Sequence, residues 1–155
     1  MRTHSTSKEE NMDLPRAEEM NYWKTSRTSP STWIDRAKDQ IKDIGGTVVA
    51  EAFGREEAAD RAAYMLAFRI HSEDFKVVWP VLPSDDERAA RRQAATMLYR
   101  DVKQRCISAQ VLGARQAFFA YWVLPDGRTA SQVSGPELLE VVPRLLGGRA
   151  LPDGN

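Results

Sequence analysis

One cysteine, two histidines and no surplus of either charge set the first limits on this chain of 155 residues. Cys106 alone cannot close an internal disulfide, so the fold does not depend on an oxidising compartment. His4 falls in an N-terminal polar stretch and His71 in a turn, which leaves no histidine-based metal site and no Ser-His triad to assemble. The 22 basic and 22 acidic side chains cancel, so no global field draws the protein to nucleic acid or to a membrane, and such binding needs a local patch. A glycine-rich phosphate loop, a cysteine pair and an internal repeat are all missing. Long apolar runs are absent too, since charge interrupts each within about ten residues, and residues 1–6 lead into no apolar stretch of a signal peptide. The expectation is a soluble, cytoplasmic protein with no membrane partner, no cofactor and no metal.

What is present suffices for one core. A hydrophobic content of 42% over this length supports one ordinary domain, expected over residues 29–146, with a flexible tail at 1–28 and a second tail at 147–155. Residues 1–28 hold five acidic and five basic side chains and almost no periodic apolar positions, a composition that does not offset its own ordering entropy. Tyr22 and Trp23 are the exception. Two adjacent large aromatics make an anchor, for a partner or for the domain itself.

The order of elements predicts an α+β fold, α-β-β-β-α followed by short C-terminal helices, with a three-stranded antiparallel sheet carrying helices on one face. Ser29-Pro30 opens a first helix with Ile34, Ala37, Ile41 and Ile44 at helical spacing, and Gly45-Gly46 ends it. Residues 47–53 read as a first strand, broken by Gly54-Arg55-Glu56-Glu57. In the second, residues 61–70, Tyr64, Leu66, Phe68 and Ile70 point to one face and smaller residues to the other. After a polar connection at residues 71–74, Phe75, Val77 and Trp79 continue the large face on a third strand that ends at Pro80, as suits a sheet edge. A long helix opens at Ser84-Asp85-Asp86-Glu87, a capping-box pattern, and its stripe Ala94, Leu98, Val102, Cys106 and Ala109 should cover the large face. Residues 114–123 predict a short helix rich in aromatics, Pro125-Asp126-Gly127 a tight turn, Thr129-Ala130-Ser131-Gln132 a second capping box, and Pro136 the start of a last helix.

Chemistry-bearing patterns are few. Projected as a helix, Arg92, Thr96, Tyr99, Arg100 and Lys103 share one side that should be exposed, and from Arg88 to Arg105 there are six basic residues against one acid. Such a face can track phosphates, with Tyr99 available to stack on a base; the competing reading is an ordinary solvated surface. The helix, three strands, helix order is shared with double-stranded RNA-binding domains, and Ala90-Arg91-Arg92-Gln93-Ala94-Ala95 looks like the basic start of their second helix. The acids Asp85-Asp86-Glu87 stand where such a helix should attract phosphate, and the first loop is Gly54-Arg55-Glu56-Glu57 in place of their glycine-proline-histidine loop. Asp74-Phe75-Lys76 with Asp60 or Glu51 has the spacing of a metal-dependent nuclease core. Glu56, Glu57, Glu73 and Asp74 are expected at one end of the sheet, where a solvated rim is the simpler account.

The features Ile34 with Gly45-Gly46, Tyr64-Met65-Leu66-Ala67-Phe68, Val77-Val78-Trp79-Pro80-Val81-Leu82-Pro83 before an arginine-rich helix, and Ala120-Tyr121-Trp122-Val123-Leu124-Pro125-Asp126-Gly127-Arg128-Thr129 together carry a resemblance. Over residues 31–145 the chain resembles a group of small uncharacterised proteins of phages and other bacterial mobile elements. The resemblance implies a mobile-element context and supplies no catalytic residues. This chain has Gly113-Ala114-Arg115-Gln116 where such proteins often carry an acidic run, which implies a different partner if that run binds one.

The reading is therefore a binding accessory without catalytic residues, its ligand DNA or RNA held by Arg92, Tyr99, Arg100 and Lys103. An element-encoded protein is the alternative partner, with Tyr22 and Trp23 as contacts, and a metal-dependent nuclease is the remaining enzyme reading.

Overall fold

Ser29 caps helix α1 (Pro30–Asp43), its Oγ accepting from the Thr32 amide at 3.3 Å, and Pro30 fills the first helical position, where no amide donor is needed. At the other end the Gly46 amide donates to Ile41 O and the Gly45 amide to Lys42 O, both at 2.9 Å, with Gly45 at φ +91°. A Cβ on Gly46 would stand 2.7 Å from Ile41 Cγ2, so the chain can turn this tightly only with glycine there. The computed structural model describes residues 14–56 and 61–133.

Strands β1 (Thr47–Glu56), β2 (Arg61–Ile70) and β3 (Glu73–Pro80) pair antiparallel in the order β1-β2-β3. Leu66, Phe68, Phe75 and Val77 are fully buried beneath α1 and the long helix α2 (Glu87–Leu112), which contributes Ala94, Leu98, Val102 and Cys106. The fold is α+β, as the alternation of large and small residues on β2 predicts.

The strand boundaries differ from expectation. Gly54-Arg55-Glu56 does not break β1 but continues it, pairing with Ala63, Ala62 and Arg61, because ladder hydrogen bonding to β2 outweighs the low strand propensity of glycine. Val49 is inserted as a bulge between Val48, opposite Phe68, and Ala50, opposite Ala67. The hairpin between β2 and β3 needs only His71-Ser72, with His71 at φ +59°, so β3 resumes at Glu73.

Helix α2 begins later than its capping box suggests. Asp86 is the cap, accepting from the Ala89 amide at 3.1 Å, while Ser84 Oγ accepts from the Asp86 amide and donates to Glu18. The single helix expected over residues 114–123 is instead one turn, α3 (Ala114–Ala117), then a 3-10 turn at Phe119–Tyr121 and an extended pair, Trp122-Val123. That pair bridges Phe75 on β3, and Val123 in turn bridges Thr129, so the expected edge strand is covered along part of its length. Phe118 is thereby driven to the centre of the core, 5.1 Å from Phe68 and 5.6 Å from Phe75 between ring centroids, while Trp79 is only half-buried. The box at Thr129 forms as read, around a 3-10 turn, Ala130–Gln132. The helix expected from Pro136, and the tails at 1–13 and 147–155, lie outside the described residues.

The described part of the expected N-terminal tail, residues 14–28, lies on the domain. Ala17 is fully buried and its amide donates to Pro83 O at 2.9 Å. Gln93, itself buried, donates from Nε2 to the carbonyls of Ala17 (2.8 Å) and Asn21 (3.0 Å). These bonds hold the turn at residues 21–24, where Tyr22 and Lys24 adopt left-handed backbone at φ +68° and +53°, a conformation that disfavours both side chains.

Candidate nucleic-acid interface

The face of α2 that projection marks as exposed is in fact half occupied. Thr96 is buried, its Oγ1 donating to Arg92 O at 2.7 Å, because one turn earlier Gln93 is covered by the N-terminal segment and one turn later Tyr99 packs on Trp33 of α1. Tyr99 meets Trp33 at 5.2 Å between centroids and is half-buried, so it is a wall of the site and not a free stacking platform. Arg92 is half-buried, and its Nε is enclosed without a hydrogen-bond partner. Arg100 and Lys103 are exposed, one helical step of three apart.

Both exposed cations rest on rings. The Arg100 guanidinium lies 5.1 Å from the Tyr22 ring and Lys103 Nζ 5.9 Å from Tyr99. Arg36 of α1 completes the set at 4.9 Å from Trp33. The sequence therefore supplies, from three separate segments, a continuous series Arg36, Trp33, Tyr99, Lys103, with Arg100 on Tyr22 beside it. Among the described residues none of Arg36, Arg100 and Lys103 is within ion-pair distance of a carboxylate. Arg36 and Trp33 stand at i and i+3 on α1, a spacing visible in the sequence, but only the isoleucine stripe of that helix signals burial.

Of the other basic residues of α2, Arg91 and Arg105 are engaged, while Arg88 is exposed with neither an ion pair nor a ring contact among the described residues. Arg91 pairs with Glu87 at 3.0 Å and covers the Phe53 ring. Arg105 binds Asp101 Oδ2 at 2.9 Å and Ala117 O at 3.0 Å, and Tyr121 donates to the same carboxylate oxygen at 2.8 Å. Burial first, then the Asp101 charge, pushes the Tyr121 phenol well above its ordinary range. Lys24 pairs with Asp86 at 3.1 Å; the Ala89 amide, and then Lys24, hold that carboxyl below its usual value. Trp23 is half-buried against the core cluster, and Tyr22 is half-buried beneath Arg100, so both anchors dock on their own domain.

The nuclease pattern does not converge. Asp74 pairs with Arg69 at 2.8 Å on the open side of the sheet, opposite to Phe75, whereas Glu51 stands across from core-facing Leu66 and binds Lys38 of α1. Asp60 lies outside the described residues, among which no group of three His, Cys, Asp or Glu side chains could hold a metal ion. Of the four acids expected at one end of the sheet, Glu57 lies outside the described residues and the other three are split. Glu56 pairs with the first residue of β2 and Glu73 with the last, about 30 Å apart at strand rise. Cys106 is buried, and burial, followed by Asp43, pushes its thiol up to about 11.

The end of α2 carries an exposed apolar ridge. Ile107, Val111 and Leu112 are 49%, 80% and 52% exposed along the last turns of α2. No helix among the described residues is long and apolar enough to cross a membrane. No family model, curated protein or solved structure matches this chain.

Proposed function

We propose that the protein is a non-catalytic accessory of a phage or other mobile element that binds the phosphate backbone of DNA or RNA through Arg36, Arg100 and Lys103. The observation that carries this reading is the bracing of three exposed cations on Trp33, Tyr99 and Tyr22 without a carboxylate partner. A guanidinium laid on a ring keeps its N–H edge outward and has already lost part of the freedom that binding would otherwise cost. In this reading Arg92 and Tyr99 shape the site more than they touch the ligand.

With no net charge there is no long-range attraction, so affinity is modest, indifferent to sequence and salt-sensitive. Three neutralised phosphates on a duplex give a slope of log K against log salt of about −2.7. Titration of labelled single-stranded and duplex oligonucleotides at low salt tests this. Wild type should bind, and a variant with Arg36→Glu, Arg100→Glu and Lys103→Glu should not, at unchanged fold by circular dichroism. Equal binding by the two proteins, or none by either, removes the reading. The second reading, docking of an element-encoded protein, rests on the exposed ridge of Ile107, Val111 and Leu112.

A further inference from the structure

The second face of the sheet is unlike a solvated one. Its cross-strand pairs include Ala50 with Ala67, Ala52 with Met65, Gly54 with Ala63, Met65 with Val78 and Ala63 with Pro80, while Ala67 with Lys76, Thr47 with Arg69 and Arg69 with Asp74 make the end nearer the His71-Ser72 turn polar. An antiparallel sheet that faces water normally carries long polar side chains there, whereas the half of this surface farther from that turn is small and apolar, with Arg61 and Lys76 at its border. Two adjoining depressions, of about 210 and 170 Å³, share Val78; Ala52, Gly54, Ala63 and Met65 line the first, and Lys76 and Pro80 the second.

The course of the chain points to what covers this face. After Thr129 bridges Val123, the Ala130 amide donates to Trp122 O at 2.9 Å, and Thr129, Ser131 and Gln132 border the second depression beside Lys76, Val78 and Pro80. The chain thus borders the open face at Ser131 and Gln132, buries Val133 in the core cluster, and has 22 residues still to follow. Those residues begin with an apolar stretch, Leu138, Leu139, Val141, Val142, Leu145 and Leu146, whose spacings of three and four generate one apolar side, with Glu137 and Glu140 on the side away from it.

We propose that residues 136–146 of this chain pack on the open face of its own sheet, over Ala52, Ala63, Met65 and Val78, so that the sheet is covered on both sides. The alanines and Gly54 allow a close approach. The basic face of α2 takes no part, so this inference stands or falls apart from the proposed function.

Full-length protein with the photo-crosslinker p-benzoylphenylalanine in place of Val78, at the margin of the face, gives a direct test. Irradiation followed by peptide mass spectrometry should show an intramolecular link into residues 136–146. A link into a second molecule assigns the face to a dimer contact. A link elsewhere in the chain, or none, leaves the face without this segment, and each of these three results overturns the proposal. Leu138→Asp with Val142→Asp, introduced beside the crosslinker, should abolish the link and lower the melting midpoint. A link of undiminished yield in that variant would also overturn it.

Discussion

Gln93 of α2 grips Ala17, 76 residues earlier in the chain, with its side-chain amide 2.8 Å from the Ala17 carbonyl oxygen. The same nitrogen reaches Asn21, so one buried amide fixes the chain immediately before Tyr22, whose ring supports Arg100. The brace beneath Arg100 is thus tied to a hydrogen bond inside the domain.

Replacing Gln93 with alanine leaves two carbonyls without their donor and opens a small void. The expected cost is about 1–3 kcal/mol in a urea unfolding curve, together with faster tryptic cleavage after Lys24 and Arg27. An unchanged midpoint and cleavage pattern would show that the segment holds its place without this bond.

Tyr22→Ala removes the ring under Arg100 and no charge. A brace of this exposed kind is worth about 0.5–1 kcal/mol, so oligonucleotide affinity should fall about two- to fivefold while the salt slope stays constant. Loss of all binding, or a change in slope, would give Tyr22 a different role.

Leu98 and Phe118 belong to one core cluster and are both fully buried. Leu98→Ala should cost about 2–5 kcal/mol and Phe118→Ala about 3–5 kcal/mol. Trp79→Ala should cost less than Phe118→Ala, because Trp79 is only half-buried. The reverse order in chemical denaturation would relocate the centre of the core.

The Cys106 thiol, pushed up to about 11 by burial, binds its proton more tightly in the folded than in the unfolded chain. Its contribution to stability is complete below the ordinary thiol value near 9 and declines as pH rises from there through about 11. Alkylation by iodoacetamide at pH 8 should therefore be very slow in the native protein and rapid in denaturant. Fast labelling of folded protein would place the thiol at the surface.

The stripe Ile34, Ala37, Ile41 and the alternation Tyr64, Leu66, Phe68, Ile70 were legible because a large apolar side chain at a fixed period has one place to go. The bulge at Val49 carries no such mark: Val48 and Val49 are alike in chemistry, and only pairing with Phe68 and Ala67 decides which is extra. The docking of residues 14–28 was legible only at Tyr22-Trp23; the rest was hidden, since its centre is one small residue, Ala17, and its main clasp is a polar side chain far along the chain. At the candidate site Arg100 and Lys103 could be read from helical projection. Arg36 could not, because its place beside them depends on how α1 lies against α2.

The bulge at Val49 also bears on how the protein behaves at high concentration. Among the described residues the outer edge of β1 is unpaired, the position at which one sheet can recruit the next and start a fibre. An extra residue there throws the free amides and carbonyls out of step with any straight strand that approaches, and it sharpens the local twist. At the opposite edge, Trp122 and Val123 already occupy bonding positions on β3. Polymerisation by strand addition is obstructed on both flanks, at one by an irregularity and at the other by the chain's own return.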